Sequence, residues 1–192
     1  MNRLLFFIAL ASLMLGCAIY LPFENRVAYN WIKEVEGIKI QHKTSLTIKW
    51  IPPSFPQRVD IQGASGFAGG SSRTRIPTGV AISSRITEML DIAIGVDERS
   101  SNILTILVIQ ATTQFQYDSF AMASTIKSGN CVFEAEFSYN GQTWKEQFTA
   151  ADSGTTLQGT SQTAVLNSVW DSIAFQVTKS ILSHINSSIL DH

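Results

Sequence analysis

The chain holds 192 residues, with 14 cationic and 15 anionic side chains and a formal net charge of −1. Hydrophobic residues make up 45% and charged residues only 15%, which excludes a disordered chain and leaves enough apolar side chains for a packed core. No Lys/Arg run is present that would release many phosphate counterions, so the charge pattern indicates no nucleic-acid partner.

The first 16 residues have a basic start at Arg3, an apolar stretch from Leu4 to Leu15, and Gly16 before Cys17. A helix crossing a bilayer needs about 20 apolar residues, so this shorter stretch reads as the hydrophobic region of a signal peptide. The run Met14-Leu15-Gly16-Cys17, with Leu13 just upstream, resembles the leader of bacterial lipoproteins. That resemblance implies cleavage before Cys17, a diacylglyceryl group on its thiol and an acyl group on its new amine. Several chains, at about 0.8 kcal/mol per buried CH₂, hold firmly where a single chain binds only marginally. Ala18 stands where inner-membrane lipoproteins typically carry Asp, and this implies the outer membrane with the folded part facing the periplasm. The predicted organisation is a leader over 1–16, a lipidated N-terminus and spacer over 17–36, and one periplasmic domain over 37–192.

Beyond the leader, Val27, Trp31 and Val35 recur at four-residue steps, and a short helix is predicted over 24–36, closed by Gly37. Alternation of Leu46, Ile48 and Trp50 predicts a strand over 45–51, interrupted by "PPSFP", with "RVDIQ" (58–62) resuming at a sheet edge. The Gly- and Ser-rich stretch 63–75 reads as a loop. Pro77 suits the first turn of a helix whose face is Ile82, Ile86, Met89, Leu90 and Ala93, ended by Gly95. "NILTILVIQA" (102–111) is nearly all apolar, as expected of a central strand covered on both faces. A further strand is expected over 112–120, continued by "AMAST". Asn140-Gly141 predicts a tight type I′ hairpin that pairs Phe137 with Trp144 and Phe133 with Phe148, and sets Glu136 opposite Lys145 as an exposed ion pair. Leu166, Trp170, Ile173, Val177 and Ile181 mark a long final helix running to about His184.

The pattern predicts an α+β fold: an antiparallel sheet of four to five strands with two main helices packed on one face. Over residues 76–185 the order of helix, strands, Gly-turn hairpin and long helix resembles the small outer-membrane lipoproteins of the lipopolysaccharide-assembly type and their uncharacterised relatives. At the mature start only Cys17, the apolar residue at 19 and Leu21 correspond to that family. By analogy the resemblance implies a scaffold or assembly role in an envelope complex. The alternative is a lipid- or glycolipid-binding accessory of an envelope transport system.

Candidate chemistry is sparse. Cys131, in the alternating "CVFEAEFSY", reads as a buried small hydrophobe. Asp152-Ser153-Gly154-Thr155-Thr156 resembles the active-site loop of aspartic peptidases, but that chemistry needs two carboxylates sharing a proton, and only one such run occurs. A polar turn between strand and helix is the expected reading. His42, His184 and His192 are scattered, His184 falling where a cation suits the end of a helix. No metal site, cofactor or catalytic residue is expected, and the chain is expected not to be an enzyme. Cys17 is the expected membrane attachment, and Trp50, Phe55 and Phe67 are the expected surface for an envelope protein partner or lipid.

Overall fold

The computed structural model describes residues 18–20, 23–40, 45–62, 73–120 and 124–190. The leader, Cys17, His42, Phe67 and His192 lie outside them. The fold is α+β, with helices packed on one face of a four-stranded sheet whose strands span, in spatial order, 47–51, 103–120, 124–139 and 142–155. Three of its strands are antiparallel neighbours in space and sequence: β5 (Ile103–Phe120), β6 (Ser124–Tyr139) and β7 (Gln142–Thr155). The fourth, β2 (Thr47–Ile51), pairs with β5 in parallel, so the sheet is mixed at that edge rather than wholly antiparallel.

The hairpin forms where Asn140-Gly141 predicts it, both residues taking positive φ, 48° and 81°. Its register sets Phe137 opposite Trp144, Phe133 opposite Phe148 and Glu136 opposite Lys145. The ion pair is diagonal instead: Lys145 Nζ lies 2.7 Å from Glu134 Oε1. Residues two apart on one strand face share a side of the sheet, and a long Lys side chain reaches either carboxylate.

The apolar run at 102–111 and the stretch after it form one continuous strand, β5. A register shift between Val108 and Gln110 changes which residues face inward. Before it Leu104 and Ile106 are buried, and beyond it Ala111, Thr113 and Phe115 are. An extra residue in one strand of a pair reverses the two-residue alternation. β5 is not covered on both faces: Ile103 is 50% exposed, Ile109 47% and Leu107 37%.

The inner face of the sheet meets α2 (Thr78–Ala93) and α3 (Gln162–Leu190). Ile82, Ile86, Met89, Leu90 and Ala93 from α2, and Leu166, Trp170, Ile173, Val177 and Ile181 from α3, are all buried, as their spacing requires. Gly95 at φ 97° follows the end of α2, and its N–H bonds the Leu90 carbonyl. α3 runs past His184 to Leu190, a length of about 43 Å at 1.5 Å per residue. α1 (Tyr29–Gly37) packs on both long helices, Trp31 meeting Phe175 at 5.0 Å and Val35 fully buried.

A second sheet has the order β1-β4-β3, from β1 (Ala18–Tyr20), β3 (Asp60–Gln62) and β4 (Arg73–Ile76). "RVDIQ" therefore joins this smaller sheet, and Arg73 to Arg75, expected as loop, form a strand. The reason lies in β5. β2 pairs only its first five residues, which leaves backbone groups farther along that edge without a strand neighbour. The Gln62 side chain meets this need at Phe115, its Oε1 accepting from the Phe115 N–H at 2.9 Å and its Nε2 donating to the Phe115 carbonyl.

Candidate functional site

The densest polar network joins the segment Phe23–Ala28 to the two long helices. Position 85 falls inside the apolar stripe of α2, and position 171 falls inside that of α3. Facing one another, Arg85 Nε and Asp171 Oδ1 meet at 2.7 Å with the side chains 0% and 3% exposed. A buried pair of this kind is tolerable only when its remaining donors and acceptors are also satisfied. Arg85 donates from Nη1 to the Ala81 carbonyl at 3.1 Å, and from Nη2 to Asn167 Oδ1 at 2.9 Å and the Glu24 carbonyl at 2.7 Å. The second Asp171 oxygen accepts from the Ala28 N–H at 3.2 Å, and Glu88 Oε2 accepts from the Val27 N–H at 3.0 Å.

Trp170 completes the cluster. Its ring lies 5.4 Å from the Arg85 guanidinium carbon and edge-on to Phe23 at 6.2 Å, and its Nε1 donates to Thr113 Oγ1 at 3.0 Å. Burial raises the Asp171 carboxyl above the usual carboxylate range, against the opposing pull of Arg85 and the Ala28 N–H. The network fixes the path of the chain leading in from the N-terminus. The Glu24 carbonyl and the Ala28 N–H, which would bond one another in a helix begun at Glu24, go to Arg85 and Asp171 instead, and α1 begins at Tyr29. Val27 and Val35 share one hydrophobic core with the sheet and long helices. From Phe23 onward the predicted spacer is thus part of the folded body.

The predicted partner surface divides. Phe55 is 2% exposed and sits in the core, with Trp50 at 5.3 Å and Phe133 at 6.0 Å between ring centroids. Trp50 is half-buried and lines a cleft of about 650 Å³ with Pro56, Ser84, Glu88, Asp91 and Glu98. Its lining sets the apolar surface of Trp50, Pro56 and Val96 beside these carboxylates and hydroxyls. Phe67 lies outside the described residues.

Cys131 is 1% exposed, and burial pushes its thiol up to about 12. Thr113 Oγ1 is 3.7 Å from its sulfur, and the setting is that of an inert core thiol. Asp152 lies within β7 rather than in a turn, its Oδ1 accepting from the Ser153 N–H at 2.8 Å. His184 stacks on Trp144 at 4.2 Å and 7° between rings, with Nδ1 2.9 Å from the Ser180 carbonyl. Among the described residues no group of three or more His, Cys, Asp or Glu is placed to hold a metal ion, and no helix is long and apolar enough to cross a membrane.

The outer face of the main sheet is the remaining large feature. It presents Thr105, Gln110, Thr112, Gln114 and Gln116 from β5 and Thr143, Lys145, Gln147 and Thr149 from β7, with Val132, Glu134 and Glu136 of β6 between them. At the β2 end these polar rows meet the exposed apolar corner of Ile103, Leu107 and Ile109.

No protein-family model matches the chain, and no curated protein does. Solved structures do. A minor lipoprotein from Acinetobacter baumannii is similar with a TM-score of 0.42 at 10% identity, over 74% of this chain and 93% of that one. A protein from Xanthomonas campestris assigned to the uncharacterised family DUF330 gives a TM-score of 0.47 at 12% identity, over 90% and 99% of the two chains.

Proposed function

We propose that this is a lipid-anchored bacterial envelope protein, attached through acylated Cys17 to the outer membrane with its folded body in the periplasm. On this reading it is a non-catalytic scaffold or assembly factor for an envelope complex. The observation that carries it is the way the chain directly after Cys17 is built into the fold. Ala18, Ile19 and Tyr20 pair with β4, and after residues 21–22 the backbone of Glu24, Val27 and Ala28 is held by Arg85, Glu88 and Asp171. A flexible linker would let the body tumble below the membrane. A clamped one makes the anchor set which way the body faces, a property useful to a scaffold. The uncovered sheet face, with Ile103, Leu107 and Ile109 at one corner, lies on the side away from the helices and supplies area for a protein partner.

The test begins with intact mass and membrane fractionation of wild type beside Cys17→Ser. Wild type is expected in the membrane fraction, beginning at Cys17 and heavier than its polypeptide by fatty acyl groups. A mature start elsewhere, or a mass equal to the amino acids alone, sinks the anchor. Photo-crosslinking from Leu107 in the anchored chain then tests the scaffold role. Recovery of no discrete adduct counts against the outer face as the partner surface.

A further inference from the structure

The smaller sheet has two unlike faces. One is turned to the body: Ile76 is fully buried, and Gln62 bonds to β5. Strand alternation sends the residues between them the other way. Ile61, directly opposite Arg75 in the register, is 59% exposed, and Val59 is 41% exposed. Arg73, two residues before Arg75 on β4 and so on the same face, is also exposed. Arg58 adjoins, its side chain 44% exposed and 2.9 Å from Asp60. The outward face thus carries exposed Arg73 and half-buried Arg75 with no carboxylate from β3 or β4, while Arg58 and Asp60 pair with one another, in a chain whose formal net charge is −1. Exposed branched apolar side chains set among arginines suit the boundary between headgroups and acyl chains.

The position of the anchor gives the face an occupant. β1 pairs with β4 in parallel, Ala18 lying opposite Arg73. Cys17 immediately precedes Ala18, so acyl groups on Cys17 leave the fold at the Arg73 end of this sheet. We propose that the outward face formed by Val59, Ile61 and Arg73 rests on anionic phospholipid headgroups beside the anchor. The inference rests on the acylation of Cys17. It adds that the body lies against the bilayer by this face, with Arg73 meeting phosphate and Val59 and Ile61 entering the headgroup layer.

The full chain, produced with its own leader, is reconstituted in vesicles of phosphatidylcholine with about a quarter phosphatidylglycerol, which supplies the anionic surface basic residues require. A nitroxide is attached at Ile61→Cys, with Val59→Cys as a second reporter should the first variant fold poorly. Gln110→Cys on the uncovered sheet face is the control; buried Cys131 does not label. On vesicles the reporters at 61 and 59 are expected to lose collisions with an aqueous nickel chelate and gain them with oxygen, while 110 is unchanged. Arg73→Gln, high salt or all-phosphatidylcholine vesicles should each weaken that shift. An acylated chain whose residues 61 and 59 stay as aqueous as 110, or shift regardless of lipid charge and of Arg73→Gln, overturns the inference and leaves the anchor standing. A chain whose mass carries no acyl groups overturns both.

Discussion

The two sheets are assembled from opposite kinds of contact. In the larger, β5, β6 and β7 follow one another directly, and β6 pairs with its neighbours along nearly its full length. In the smaller, strands of three to four residues come together from positions 18–20, 60–62 and 73–76. Strands that short do not stand alone. The smaller sheet borrows its support from elsewhere: Gln62 on β5, the start of α2 against the chain before β3, and the Arg85–Asp171 clamp on the segment that follows β1. A local sheet carries its own stability, whereas a non-local one takes its stability from what it docks on. The proposed anchor sits on the dependent one.

The sharpest way to separate them is to break the clamp. Arg85→Met leaves the Asp171 carboxylate buried without its cation, an outcome that costs about 3–5 kcal/mol when one partner of a buried pair is removed. Urea denaturation should read that loss, and hydrogen exchange should show residues 23–28 losing protection before the β6–β7 hairpin does. Replacing both partners, Arg85→Met with Asp171→Leu, should recover most of the stability, since no charge is then stranded. If the double variant is as unstable as the single, the pair is not the unit that holds the segment. The pH profile gives a second handle. With the folded carboxyl held above its unfolded value, the contribution of Asp171 is fully present below the unfolded value and is lost as pH rises through the folded one. Asp171→Asn should flatten that part of the profile, measured as the urea midpoint from acid to neutral pH.

A smaller break lies where α2 begins. A Cβ on Gly79 would fall 2.0 Å from the Phe55 carbonyl oxygen and 2.6 Å from the Arg58 nitrogen, both backbone atoms that cannot swing aside. Gly79→Ala should therefore cost about 1–3 kcal/mol by overpacking. Its exchange signature should centre on residues 55–62, with the larger sheet unaffected. Uniform loss across both sheets would show that the smaller one is not separately held. Gln62→Ala comes next. It removes the amide that satisfies both backbone groups of Phe115, and about 1–2 kcal/mol is expected for partly buried groups of this kind. Faster exchange of the Phe115 amide is the direct readout.

How far each region was legible follows from the same contrast. Periodicity found the faces of α2 and α3, and Asn140-Gly141 found the hairpin with its register, because both signals lie within a few residues of the contacts they set. The parallel pairing of β2 with β5 joins residues more than fifty positions apart, and no local pattern announces it. The same holds for Arg73 to Arg75 pairing with residues 18–20. Composition misled at β5, where a nearly all-apolar run suggested burial on both faces; no helix covers the outer one, so alternation leaves Ile103 and Leu107 exposed, and Ile109 is exposed at the register shift. Aromatic content misled at Phe55, which is core. The clamp was within reach. A lone Arg at 85 inside an apolar stripe and a lone Asp at 171 inside another are costly unless they meet, and that cost is a readable signal.

The least effect is expected on the larger sheet's outer face, and it tests whether this sheet owes anything to its charges. Lys145 Nζ lies 2.7 Å from Glu134 Oε1, but the Lys side chain is 56% exposed. An exposed pair gives back most of its Coulomb energy to solvent and to the ordering of a long side chain. Lys145→Ala should therefore shift stability by no more than about 0.5 kcal/mol. Glu136 stands directly opposite Lys145 in the register, so the diagonal and the direct carboxylate compete for one ammonium. A double-mutant cycle of Lys145 with Glu134 should return a coupling larger than the cycle with Glu136, both vanishing at high salt. Equal couplings would mean that the ammonium is shared between the two. A coupling well above the surface range would mean that the hairpin depends on charge as well as on the stacked pairs Phe137–Trp144 and Phe133–Phe148 on its inner face.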